Sequence, residues 1–288
     1  MLMERVMQGR RGFISLLFLM LCLLLPWSGS DARTEDDHGT IKIGGTGGAY
    51  GVMTQVAAAF QKRCPRVRVE FSPSLGSTGG IKAVLAGVLD LGLSARPLTE
   101  EERRQGAVAV EYGRTPLILV TSHKGTAINF TLKQIASFYS GEINSYPDGA
   151  PIRLILRPMT ESDTAFLLSL SPEMAAAVRT AQARDGMVIV LTDRDNANTL
   201  EKITGAMGWM TLAQLISEKR PLTPVAIHNV RPGLDTLSSG AYPYYKTFSV
   251  VTGASPTQEV KSFMEFLTSS AGREILLQNG LLVDHQEP

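Results

Sequence analysis

The chain is poor in the residues that most often form disulfides, bind metals or act as catalytic bases. Its 288 residues include two cysteines and four histidines. Cys22 falls in an apolar N-terminal segment, so the remainder of the chain has Cys64 alone and can form no internal disulfide. Such a chain must rely on an ordinary hydrophobic core, which this length can supply.

An excess of either charge sign is also missing. The formal net charge is +1 at pH 7, and residues 31–288 alone carry about −1. This near neutrality argues against nucleic acid or an anionic membrane surface as a partner. An anionic ligand would have to be held by a local site.

Familiar catalytic and nucleotide-binding motifs are absent. The sequence has no G-x-x-x-x-G-K-[S/T] loop, no Gly-x-Ser-x-Gly elbow and no His-x-x-x-His pair. His123 and His228 are the histidines placed well inside the chain, and His123 before Lys124-Gly125 is typical of a turn. We therefore expect no enzyme activity, no catalytic residue, no metal site and no cofactor.

The N-terminus has the order of a secretory signal peptide. Basic residues (Arg5, Arg10 and Arg11) precede an apolar run at 13–25, and small residues follow at 28–30. A run of 13 residues is short for a membrane span, which needs about 20, although an uncleaved anchor is the alternative. We predict a signal peptide at 1–30, a disordered polar leader at 31–39, and an exported mature protein.

Short apolar strands alternate with amphipathic helices along the rest of the chain. Residues 41–43, 67–71 and 89–93 read as strands, separated by helices at 51–63 and 78–88. This alternation predicts an α/β fold of two lobes with a hinge and an interlobe cleft. We place lobe one at 40–115 plus about 225–288, and lobe two at 116–224.

A first glycine-rich turn, Gly45 to Tyr50, follows a strand and precedes a helix. Tyr50 stands where a dinucleotide-binding loop needs its third glycine, so that reading fails. Backbone N–H groups at such a turn, from Gly48, Ala49 and Tyr50, could hold an anion at the helix N-terminus. The alternative is a simple tight connection.

A second cluster, Gly76-Ser77-Thr78-Gly79-Gly80, opens the next helix. Ser77 or Thr78 is a candidate N-cap. Glycine in a first helical turn costs about 0.5–1 kcal/mol relative to alanine, so something is expected to approach this backbone closely.

Two arginines follow predicted strands and could fork N–H donors onto an oxyanion. Arg96 follows the strand at 89–93, with an ion pair to Glu100 or Glu101 as its alternative role. Arg157 ends a later strand and precedes Ser162 and Thr164, two hydroxyls at a helix start. Asp163 lies between them, and its negative charge would oppose a bound anion.

The order of these segments resembles the phosphate-binding components of bacterial ABC importers. The resemblance extends over most of residues 40–283 and includes the segments 90–98, 135–143, 205–209 and 240–243. It implies a periplasmic protein whose two lobes close on inorganic phosphate or a related oxyanion and deliver it to an ABC permease in the inner membrane. We expect a monomer. A relative that transports nothing, and instead senses a ligand or docks a partner protein, is the alternative.

The resemblance also assigns contacts to individual residues. The family's first helix-start contact falls on Ala49 and Tyr50, through backbone amides. Its later contacts fall on the residues already singled out as candidates, namely Ser77, Arg96, Arg157, Ser162, Asp163 and Thr164. Family members often have Ser or Thr in place of Ala49, and glycine in place of Asp163. These two departures concern the ligand more than the fold.

Overall fold

The computed structural model describes residues 39–125 and 128–283. The predicted signal peptide and residues 31–38 of the predicted leader lie outside the described residues. Gly39, the last residue of that leader, is described, and its carbonyl accepts a hydrogen bond from the Arg68 N–H at 2.9 Å.

From residue 40 to residue 104, strands and helices alternate, as predicted for this part of the chain. The elements of the first half of the chain are β1 (Thr40–Gly45), α1 (Tyr50–Arg63), β2 (Arg68–Phe71), α2 (Gly76–Leu85), β3 (Leu91–Ser94), α3 (Glu100–Arg104), β4 (Val108–Thr121), β5 (Asn129–Phe130), α4 (Leu132–Ser140) and β6 (Arg153–Leu156). A 3-10 turn at Gly47–Ala49 joins β1 to α1.

Helices are more frequent in the second half. Its elements are α5 (Ser162–Leu170), α6 (Pro172–Ala183), β7 (Val188–Ile189), α7 (Asp193–Lys202), β8 (Ala206–Thr211), α8 (Leu212–Ser217), β9 (Thr223–Pro224), β10 (Ala226–Ile227), α9 (Leu234–Ser238), β11 (Tyr245–Thr252), α10 (Gln258–Thr268) and α11 (Ser270–Gln278).

The principal sheet has the strand order β2-β1-β3-β11-β4-β8-β6-β7, with β9 also paired to β4. Strands β2, β1 and β3 are parallel, as are β8, β6 and β7. The two strands between these groups, β11 and β4, are antiparallel to each other. The confirmed fold is therefore α/β and two-lobed, with β4 and β11 joining two parallel βαβ groups.

The long strand β4 belongs to both lobes. Residues 108–116 pair with β11, and residues 117–121 pair with β8. At the change of partner, Pro116 is opposite Tyr245, and the Leu117 N–H donates to the Tyr244 carbonyl at 2.9 Å.

Each lobe has its own hydrophobic core. In lobe one, α1 buries Val52, Val56 and Phe60 against Phe263 of α10. The spacing of these α1 residues by four explains the helix, since it puts them on one face. In lobe two, Leu117 and Trp209 share a cluster with Val225, Ile227 and Tyr242.

The lobe boundaries remain a prediction, and the strand pairing and the two cores can be compared with them. The change of partner within β4 agrees with a first boundary at 116. Because 225–244 packs with the core of lobe two, we now propose the return to lobe one near Tyr245 instead of 225.

Candidate functional site

A cleft of about 760 Å³ lies between the lobes. Four of the residues singled out in the sequence line it together: Ser77, Thr78, Arg96 and Ser162. Lobe one contributes the start of α2 and the end of β3, lobe two contributes the start of α5, and β11 forms part of the wall. Two helix N-termini from opposite lobes therefore open onto one space.

The second glycine cluster starts α2 differently from the prediction. The helix begins at Gly76, whose φ is +66°, and no side chain caps it, so the N-cap role predicted for Ser77 or Thr78 is wrong. The Ser77 Oγ instead accepts a hydrogen bond from the Ala95 N–H at 2.9 Å, which ties α2 to the end of β3.

The close approach predicted at these glycines is present at Gly80, where the neighbour is protein. A Cβ at Gly80 would lie 2.7 Å from the Gly45 Cα and 3.2 Å from the Gly44 carbonyl oxygen. Helix α2 can thus sit directly on β1 only because residue 80 has no side chain. The glycine has a packing role.

Arg96 is paired within its own lobe. Its guanidinium donates to both carboxylate oxygens of Glu102, at 2.9 and 2.6 Å, and to Thr78 Oγ1, at 3.2 and 3.1 Å. The sequence had suggested Glu100 or Glu101 as partner, but Glu102 also closes the Thr99 capping box and so is held facing Arg96. The hydrogen bond from Arg96 lowers the pKa of Glu102 to about 2.

Arg157 is buried and bound to lobe two carboxylates. Its Nη1 donates to the Val190 carbonyl at 3.0 Å, and its Nη2 donates to Glu161 and Asp193, each at 3.2 Å. Among the described residues its Nε has no partner. Arg157 does not line the large cleft, because these carboxylates hold it in the wall behind.

Asp193 occupies the anion cradle that the sequence placed at the first glycine turn. Its Oδ2 accepts hydrogen bonds from the Gly48 N–H at 2.8 Å and from the Thr46 hydroxyl at 3.3 Å, while its Oδ1 binds Arg157. Helix α7, which begins at Asp193, thereby ties lobe two to lobe one. Sequence reasoning missed this residue, although its carboxylate begins a helix.

The other two amides of this turn are used locally. The Ala49 N–H donates to the Thr46 carbonyl, and the Tyr50 N–H donates to the Gly47 carbonyl. The Tyr50 hydroxyl accepts from the Gly45 N–H at 3.1 Å and donates to the Pro73 carbonyl at 3.2 Å. The structure therefore does not bring Gly48, Ala49 and Tyr50 to the cleft that contains Ser77.

At the start of α5, a lysine from the opposite lobe compensates the negative charge of Asp163, which would otherwise oppose a bound anion. Lys246 of β11 forms an ion pair with Asp163 and donates to Ser162 Oγ at 2.6 Å. Both charged residues are buried. Thr164 donates its hydroxyl to the Arg157 carbonyl at 3.0 Å, so it supports the turn. Lys246 was missed because a single lysine in a strand pattern ordinarily faces solvent.

Glu161 lies at the N-cap position of α5, next to these charged residues. Its side chain makes no capping hydrogen bond to the helix. A Cβ built on Gly76 would lie 3.4 Å from Glu161 Oε1, so the carboxyl reaches across to the start of α2. Burial raises the pKa of Glu161; Arg157 opposes this shift, and Asp193 and Asp163 add to it.

In this cluster four carboxylates face three cations. The described pairs are Arg96 with Glu102, Arg157 with Glu161 and Asp193, and Lys246 with Asp163. With every group ionised, the cluster carries one net negative charge. Two like charges about 4 Å apart repel by about 4 kcal/mol at an effective dielectric constant of about 20. An anion bound at this cluster would therefore depend on amides and hydroxyls as well as on the cations.

The two histidines considered as bases lie away from the cleft. The His123 ring stacks on Tyr146 and its Nε2 lies 2.9 Å from Asp148 Oδ2. The His228 Nε2 accepts from the Leu132 N–H at 3.4 Å. Within the described residues, no group of three or more His, Cys, Asp or Glu side chains is placed to hold a metal ion.

The helices at 39–125 and 128–283 are all too short or too polar to cross a bilayer.

Among curated proteins, the chain is similar to the phosphate-binding protein PstS of Borreliella burgdorferi. The two are 25% identical over 281 residues, which cover 93% of this chain and 97% of the relative.

Two solved structures share the fold. A phosphate ABC transporter substrate-binding protein from Clostridium perfringens, with bound phosphate, has a TM-score of 0.73 and 22% identity, covering 85% of this chain and all of that one. An ABC-type phosphate transport receptor from Vibrio cholerae has a TM-score of 0.59 and 19% identity, and the match covers 85% of this chain and 100% of that one. The family described as the PBP superfamily domain matches residues 31–271. This match spans most of the chain, which therefore belongs to the PBP superfamily.

Proposed function

We propose that this protein binds inorganic phosphate or a related oxyanion in the periplasm and passes it to an ABC permease of the inner membrane, without chemistry. The observation that carries the proposal is the meeting of two helix N-termini in one cleft, α2 from lobe one and α5 from lobe two. First-turn N–H groups lack helical partners and favour negative charge, so two such ends provide an anion site.

In this proposal the anion lies among Ser77, Thr78 and Ser162. The Ser77 Oγ already accepts a hydrogen bond, so its proton is free to point toward a ligand. Arg96 and Lys246 border the same space and contribute positive charge. Gly48, Arg157, Asp163 and Thr164 act behind this layer, where they fix the lobes and the α5 turn. The curated relative named for phosphate binding supports phosphate as the ligand.

Equilibrium dialysis with labelled phosphate tests the proposal directly. We expect saturable binding by the purified protein. Replacement of one hydroxyl, in Thr78→Val or Ser162→Ala, should weaken binding about tenfold or more, because each variant removes a hydrogen bond to a charged ligand. Thr180→Val, on the exposed side of α6, is the matched control and should bind like wild type.

One observation favours a second candidate, a relative that senses a ligand or docks a partner without transport. Each cation of the cluster already has a carboxylate partner. Failure to bind phosphate, sulfate or phosphonate would favour this second function. Normal phosphate uptake in a deletion strain grown at low phosphate would also argue against a role in import.

A further inference from the structure

Among the four carboxylates of the cluster, Glu161 is the most exposed. Its side chain is 25% exposed, and its one ion pair is to Arg157 Nη2 at 3.2 Å. Asp193 shares the same Nη2 but also accepts from Gly48 and Thr46. Asp163 is buried against Lys246. If one carboxylate of this group gives up its charge, Glu161 loses only a donor that Asp193 also uses.

The position of Glu161 makes its charge important to any ligand at the helix N-termini. The carboxyl reaches the start of α2 and lines the cleft beside Ser162. An oxyanion there would face an ionised carboxylate at close range, and the two charges would repel. A neutral Glu161 removes this repulsion and offers an O–H donor.

The charges that surround Glu161 come from every neighbouring element. Arg157 follows β6, Asp193 begins α7 and Asp163 lies in α5 itself. Lys246 faces it from β11. Across the cleft stand Arg96, paired with Glu102, and Glu111 on β4. The carboxylates outnumber the cations, so the surroundings favour the neutral form of one acid.

We propose that Glu161 takes up one proton from solvent when an oxyanion enters the cleft, so that the protein captures the anion and a proton together. This inference rests on the proposed function. The proton binds a carboxylate oxygen of Glu161, and Arg157 then keeps Asp193 as its charged partner. The desolvation that raises the pKa of Glu161 acts in the same direction. Affinity then falls as the pH rises, about tenfold per pH unit above the pKa of the carboxyl group.

Calorimetry with inorganic phosphate in two buffers of different ionisation enthalpy measures the protons taken up on binding. Phosphate also titrates in this range, so the informative quantity is the difference between wild type and Glu161→Gln. We expect wild type to take up close to one more proton at pH 8, and Glu161→Gln to bind at least tenfold more tightly at that pH. Glu265→Gln, exposed on α10, should behave like wild type.

The outcomes separate the two proposals. Binding by both proteins with equal proton uptake would overturn the inference and leave the proposed function intact. Weaker binding by Glu161→Gln at every pH would also overturn it, because the carboxylate would then be a needed acceptor. No binding by either protein at any pH would remove both proposals.

Should Glu161→Gln fail to fold, infrared difference spectroscopy of wild type gives the answer without a variant. A new band from a protonated carboxyl group on phosphate addition supports the inference. Its absence contradicts the inference.

Discussion

Lys246 and Asp163 form a buried ion pair that joins the two lobes. The lysine comes from β11 in lobe one, and the aspartate lies in the first turn of α5 in lobe two. A carboxylate at this helix start would repel an anion, and the lysine cancels its charge. The pair therefore explains how the proposed oxyanion site can lie beside Asp163.

Loss of this pair should be costly. Lys246→Met leaves Asp163 charged and unpaired in a buried place, so we expect the free energy of unfolding to fall by about 3–5 kcal/mol. Urea denaturation measures this free energy of unfolding. Lys261→Met, exposed on α10, is the control. The double variant with Asp163→Asn should recover most of the loss, and a double variant as unstable as the single one would refute the pairing.

Asp193 should hold the lobes together in the ligand-free protein. Asp193→Asn weakens the contacts to Gly48, Thr46 and Arg157, and we expect about 2–3 kcal/mol lower stability. Small-angle X-ray scattering should show a larger radius of gyration. Asp195→Asn, two residues along the same helix, is the matched control because Asp195 contacts Thr192 within α7's own first turn. Equal effects of the two variants would count against an interlobe role.

The pair of Arg96 and Glu102 should make stability depend on pH in the acid range. The pKa of Glu102 is lowered from 4.5 to about 2, so its contribution is present above pH 4.5 and is lost as the pH falls toward 2. Glu102→Gln should cost about 1–2 kcal/mol at pH 7, between the values for exposed and buried charged pairs. At pH 2 most of the difference in stability between the variant and wild type should be lost.

Glu100→Gln is the control for this pH series, because its pair with Arg103 is exposed. A loss that is the same at pH 2 and pH 7 would mean that Glu102 stabilises by packing and not by charge.

Gly80→Ala should destabilise the protein through a backbone clash. The added Cβ would meet Gly45 at 2.7 Å, so α2 must move away from β1 at a cost of about 1–3 kcal/mol. Gly253→Ala has nothing within 4 Å of its Cβ and should be neutral. Phosphate affinity, measured on the same variants, tests whether the shift of α2 reaches the cleft. A stable Gly80→Ala protein would contradict the close packing.

The fold followed from local patterns more readily than the site did. Residues such as Val52, Val56 and Phe60 mark a helix face by spacing alone, and the Thr99 capping box is visible as four letters. Ser77, Arg96 and Ser162 could be nominated because they sit at strand and helix ends.

What could not be predicted are the partners that folding brings from far along the chain. Asp193 lies 145 residues from Gly48, and Lys246 lies 83 residues from Asp163. Contacts between residues so far apart give no local sequence pattern. An aspartate that accepts hydrogen bonds from a distant glycine turn has the same sequence pattern as any acidic residue at the start of a helix. The same holds for Gly80, whose neighbour on β1 is set by how α2 rests on the sheet.

The double crossing between the lobes constrains how they can move. Strand β4 runs unbroken through both lobes, and β11 is hydrogen-bonded alongside it up to Pro116 and Tyr245. Neither strand can rotate alone, because rotation of one strand would break its backbone hydrogen bonds to the other. We therefore expect any opening of the lobes to bend the two paired strands together near Pro116.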